Sequence, residues 1–129
     1  MRQISWKTIT QKSIAIREDT KFILSIVNDL WKEDKFRGLN PDILFRVAAD
    51  YFVSALKIDQ CRKDKKISTN LSFREFASVY IRQDFMLKSV TMHFLVNSED
   101  RVFVEIMKYY NETVGMENIL RNSEKTKRH

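Results

Sequence analysis

Trp6 to Arg17 reads WKTITQKSIAIR, and how this stretch folds decides what architecture the rest of the chain can build on it. Its second half alternates, with Ile14 and Ile16 on one side and Ser13, Ala15 and Arg17 on the other. A period of two predicts a short β-strand, because successive side chains of an extended backbone point in opposite directions. No second comparable strand follows. A single strand leaves its backbone donors and acceptors unpaired, so it predicts pairing with a second copy of the chain.

Downstream the period changes. From Asp19 to about Lys35, Phe22, Ile23, Ile26, Val27, Leu30 and Trp31 recur at three and four residues, which predicts an amphipathic helix capped by Asp19 or Thr20. Gly38 lies just past its expected end. Asn40, Pro41 and Asp42 form the sharpest start signal in the chain: a capping side chain, a proline at the first helical position, and an acid at the positive end of the dipole. Leu44, Val47, Ala48, Tyr51, Phe52 and Leu56 then give the buried face of a second helix.

Ser72-Phe-Arg-Glu75 is a capping box. It opens a long third helix through Phe73, Phe76, Ala77, Tyr80, Leu87, Val90 and Phe94, which would place His93 inside that helix. Asn97 or Ser98 starts a fourth through Val102, Phe103, Ile106, Met107 and Tyr110, ended by Gly115, with room for a short helical turn around Met116 to Leu120. The fold class expected is mainly α, a short N-terminal strand followed by about four helices. No internal repeat or low-complexity segment interrupts it.

Composition sets outer bounds. The 129 residues are 43% hydrophobic and 31% charged, with two Gly, one Pro and one Cys. That suits one domain burying roughly 65–70% of its unfolded surface. So few breakers disfavour a sandwich or barrel and exclude a Gly-rich phosphate loop. A single Cys excludes an intramolecular disulfide and a Cys-based zinc site, and suits a reducing, cytoplasmic setting. No run of about 18 apolar residues exists, so no membrane partner is expected. Met1 to Lys12 has charge but no apolar core of a secretory signal.

Catalytic chemistry is thinly supplied. There is no HExxH, GxSxG or Walker loop, and the two histidines, His93 and His129, have no evident partners. Cys61 sits in a basic segment that could lower a thiol pKa, yet reads more simply as a surface thiol. Neither an enzyme nor a cofactor is expected. The net charge of +6 is compatible with nucleic acid. It concentrates in Lys57 to Lys66 (KIDQCRKDKK) and in the tail Arg121 to His129 (RNSEKTKRH), where Arg62, Lys63, Lys65 and Lys66 are candidate phosphate contacts or ordinary solvated surface.

The order strand, helix, Gly-containing turn, helix over about Gln11 to Leu56 resembles the ribbon-helix-helix DNA-binding family of the Arc, CopG and MetJ repressors. Leu39, Asn40, Asp42, Ile43, Arg46 and Val47 match the family's turn and second-helix pattern in place. The resemblance implies a homodimer, or a higher homo-oligomer, whose paired strands enter the major groove of double-stranded DNA. It implies base contacts from Ser13, Ala15 and Arg17, with Lys12 at the rim and a phosphate held at the helix start around Asn40 and Asp42. Two features depart from the pattern: the first helix is about a half-turn too long, and Arg17 is the one strong base reader.

The resulting division is a ribbon-helix-helix-like module at 1–57, a basic linker at 58–70, and a helical assembly or interaction region at 71–129. A repressor, plasmid-partition or relaxosome accessory role follows from the resemblance. The competing class is a small helical interaction regulator without DNA binding. Its support is the aromatic density of Phe73, Phe76, Tyr80, Phe85, Phe94, Phe103, Tyr109 and Tyr110, which either joins a core shared by both halves or presents a surface to a second protein.

Overall fold

Residues 6–127 form four α-helices in a computed structural model, which describes side chains for 14–90 and 92–114. They are α1 (Trp6–Trp31), α2 (Pro41–Asp64), α3 (Phe73–Leu87) and α4 (Arg101–Lys127), with a 3₁₀ turn at Val90–Met92. Among the described residues there is no strand.

The expected N-terminal strand, and with it the ribbon-helix-helix-like first half, is therefore corrected: residues 6–17 belong to α1. The alternation of Ile14 and Ile16 spans too few residues to compete with a longer helical stripe. Ile16, Thr20, Ile23, Val27 and Leu30 recur at three and four, and no Gly or Pro separates them from the upstream segment. Ile16 packs against the core, whereas Ile14 is 51% exposed. Thr20 Oγ1 donates to the Ile16 carbonyl at 2.7 Å inside the same helix. A helix satisfies its own backbone groups, so the pairing that a lone strand would need does not arise.

Three other boundaries move. The first helix ends at Trp31, and a chain of turns carries the backbone to Asn40 with Phe36 buried beneath it. The long third helix stops at Leu87, so His93 lies beyond it, on extended backbone. Gly115 does not end α4, which continues to Lys127; a glycine inside a helix costs about 1 kcal/mol relative to Ala and breaks nothing by itself. The α2 start is as expected: Asn40 is the N-cap, its side chain accepting from Asp42 N, and Pro41 opens the helix. Ser72 Oγ caps α3 by accepting from Glu75 N at 3.2 Å. The segment expected as a linker begins as helix, since α2 runs to Asp64.

Helix α2 is the axis of the fold. From Leu44 to Val53 nine of ten residues are buried, because α1, α3 and α4 all pack on it. Phe52 meets Phe22 of α1 and Phe73 of α3, with ring centroids 6.0 and 5.5 Å away. Phe45 stacks on Tyr110 of α4 at 3.9 Å. Both halves of the chain thus contribute to one core. Ion pairs Arg74–Asp19 (2.9 Å) and Arg82–Asp29 (3.0 Å) tie α3 to α1. Helices α3 and α4 scarcely touch each other, and the side of α2 between them is closed by the connector, residues 88–100. Among the described residues no helix is long and apolar enough to cross a membrane.

Phe52 is fully buried at the junction of three helices. Phe52→Ala should cost about 3–5 kcal/mol, combining lost transfer energy with a cavity that three packed helices cannot collapse. Urea unfolding followed by circular dichroism measures it.

Candidate functional site

Asp50 is an acid in the most apolar helix of the chain, and it is 1% exposed. Its two carboxylate oxygens face the open side of α2 and take four donors from the connector. Oδ1 accepts from Asn97 N (2.7 Å) and Asn97 Nδ2 (2.8 Å). Oδ2 accepts from Val96 N (3.2 Å) and His93 Nε2 (2.7 Å). A carboxylate can only accept, so Nε2 is the protonated nitrogen of the His93 ring.

Asn97 extends the set. Its Nδ2 also donates to Ser54 Oγ at 2.8 Å, and its Oδ1 accepts from Lys57 Nζ at 2.6 Å. Lys57 in turn lies 3.6 Å from Asp100. Among the described residues no buried side-chain polar atom lacks a partner.

This clasp sorts the connector by parity. His93, Leu95 and Asn97 turn toward α2, so Met92, Phe94 and Val96 turn out, as extended backbone requires. The outward three and Leu87 are 70–82% exposed, the highest values of any large apolar side chains among the described residues. The His93 ring packs on Tyr51 at 4.8 Å, and Tyr51 stands edge-on to Phe85 at 5.4 Å. Burial, with Asp84 and Asp50 adding to it, pushes the Tyr51 hydroxyl up to about 12.

The residues expected to read DNA are dispersed. Ser13, Ala15 and Arg17 lie along α1, where positions two apart turn by about 200° and form no common row. The side chains of Lys12 and Ser13 lie outside the described residues; Ala15 is exposed. The Arg17 guanidinium sits 5.7 Å over the Tyr109 ring of α4. At the start of α2, Asp42 N donates to Asn40 Oδ1, and the Ile43 and Leu44 N–H groups donate to the Asn40 carbonyl. Those three N–H groups are thus satisfied within the turn, and the Asp42 carboxylate accepts from Tyr110.

The basic segment is also partly engaged. Arg62 lies 4.5 Å over the Phe76 ring and Lys63 pairs with Asp59 at 3.2 Å. Lys65 and Lys66 are exposed where α2 ends, with Lys66 in the left-handed region at φ 57°. The side chains of the basic tail lie outside the described residues.

Two open clefts flank α4. The larger, about 610 Å³, is lined by Phe103, Met107, Arg46 and Lys108; the other, about 350 Å³, by Ile16, Leu56, Val102, Asp19 and Glu105. In the latter, burial pushes the Asp19 carboxyl up while Arg74 pulls it down. Among the described residues no group of three His, Cys, Asp or Glu could hold a metal ion.

Reading the sequence missed Asp50, Asn97 and the outward row. Two signals could have found them: an acid flanked by Ala49 and Tyr51 in an otherwise apolar helix, and the ten uncharged or neutral residues Ser89 to Ser98 in a chain that is 31% charged. Comparison with models of known families, with characterised proteins and with solved structures finds no match to this chain.

Asp50→Asn should turn an NH₂ toward donors that now meet an oxygen. The expected loss is about 2–4 kcal/mol, with the Val96 and Asn97 amides losing hydrogen-exchange protection before the helices do. Tyr51 gives a pH signature. Its folded-state pKa lies above the ordinary 10.0, so its contribution is fully present below pH 10 and is lost as pH rises toward 12. Two units correspond to about 2–3 kcal/mol. Denaturant midpoints across that window should fall, and Tyr51→Phe should flatten the fall.

Proposed function

We propose that the chain is a small helical binding module whose recognition element is the α3–α4 connector, the helices serving to hold that connector in one shape. One observation carries this reading. Met92, Phe94 and Val96 form an outward apolar row on a segment whose alternate residues are clasped to α2. A slack loop would fold such side chains against the protein; here the inward positions are already taken. A row displayed without conformational freedom binds with less ordering cost than a loop that must find its shape.

This is the interaction class anticipated from the aromatic second half, with the surface relocated. Of the eight aromatics there, seven are buried or half-buried in the shared core, and Phe94 alone is exposed. The specific reason for expecting a homodimer, an unpaired strand, no longer applies. Neither does the ribbon that would have read bases, which leaves DNA binding resting on net charge. A binding role suits His93 better than a catalytic one, since its side chain is 10% exposed and committed to Asp50.

A photoreactive phenylalanine analogue at position 94, expressed in the cells of origin, tests the reading. Crosslinked adducts are expected from position 94 and not from exposed Gln83 on α3. Replacing Met92 and Val96 by Ser should abolish them while leaving thermal stability nearly unchanged, because exposed side chains contribute little to folding. Adducts from position 83 with none from 94 would move the recognition surface elsewhere.

A further inference from the structure

We infer that the connector docks on the surface of an anionic lipid bilayer, with Leu87, Met92, Phe94 and Val96 entering the headgroup–acyl boundary. The inference rests on the connector being the recognition element, and it names the partner.

Three observations favour lipid over protein. The first is residue type. Centres of protein interfaces are enriched in Trp, Tyr and Arg and poor in Leu and Val, because their energy comes from large amphipathic anchors with directional partners. The outward row is Met, Phe and Val beside Leu87, and its polar neighbours His93 and Asn97 are turned inward to Asp50. Nothing in the row can direct a hydrogen bond. A hydrocarbon boundary requires none.

The second is charge. The apolar row is flanked at both ends by exposed cations. Lys35 Nζ donates to the Met86 carbonyl at 2.8 Å, which places its ammonium at the start of the connector next to Leu87, and Lys88 follows directly. At the other end stand Lys57, bonded to Asn97, and Arg101. Of the acids nearby, Asp84 and Asp100 are largely covered and lie 3.4 and 3.6 Å from Lys88 and Lys57, leaving Glu99 as the one exposed acid. With a net charge of +6 for the whole chain, the exposed rim complements anionic headgroups.

The third is rigidity. A loop inserting into an interface must keep its apolar side chains outward in water, and the clasp on Asp50 does so here. The absence of a membrane-crossing helix among the described residues concerns spanning alone; lying on an interface asks for an apolar face and a cationic rim.

The test is co-sedimentation of the full chain with phosphatidylcholine vesicles and with phosphatidylcholine–phosphatidylserine vesicles, at low and high salt. Binding is expected to the serine-containing vesicles, to weaken in salt, and to fall roughly tenfold or more for Phe94→Asp, since interfacial attachment needs both apolar insertion and charge. Lys35→Gln with Lys88→Gln should weaken binding and reduce its salt dependence. Melting by circular dichroism confirms that each variant folds. Equal binding by wild type and Phe94→Asp would show adsorption through charge alone and overturn the inference. No vesicle binding, together with protein adducts from position 94, would overturn the lipid partner and leave the connector as recognition element. Absence of both would remove the two readings together.

Discussion

The carboxylate of Asp50 is the constraint on which the arrangement depends. Three helices cover three sides of α2, and the fourth side is too narrow for another helix because α3 and α4 diverge from each other. An extended strip of backbone fits there, but it brings N–H groups that an apolar helix face cannot satisfy. One acid solves the problem by accepting from two backbone amides and two side chains of the strip. Without it the strip would lift into water, and the core beneath, from Val90 to Phe85 and Tyr51, would be open on that side.

Because the clasp uses every second residue, it fixes the outward residues without touching them. Burial of polar groups and exposure of apolar ones are here the same event, a consequence of the pleat. The usual cost of an exposed apolar row is aggregation or collapse onto the protein's own surface. Here the lysines at either end and the tethered backbone oppose both. Helix α2 therefore acts at once as core and as mounting, and a change at Asp50 would be felt in binding as well as in folding.

Much of the helical content was legible in the sequence. The start of α2 could be placed at Pro41 because capping is local chemistry: Asn40, Pro41 and Asp42 need no tertiary partner to act. The face of α2 that carries Leu44, Val47, Tyr51 and Phe52 followed from a 3.6-residue period. The failure at residues 13–17 came from weighing five alternating residues against nothing longer, when Ile16 already belonged to the stripe that continues through Thr20 and Ile23. The opposite failure occurred at 92–97. There the backbone is extended, yet it was read as the tail of a helix, since apolar residues are too dense on both sides for either period to stand out. What makes that segment extended is an acid more than forty residues away, and no local pattern reports it.

The central position of α2 also bears on how the chain comes to be folded. Helices α1 and α2 are joined by a short turn and pack on each other, so their contacts close small loops and carry little entropic cost. A nucleus built from them would have low contact order and form early. The connector cannot join that nucleus, because its partners on α2 are reached only after α3 has been laid down and the chain has turned back. Its contacts belong to the late side of the transition state, where mutational φ-values approach zero. The apolar row is then a property of the finished fold: a chain still folding, or partly unfolded, has the same residues but no fixed surface on which to show them.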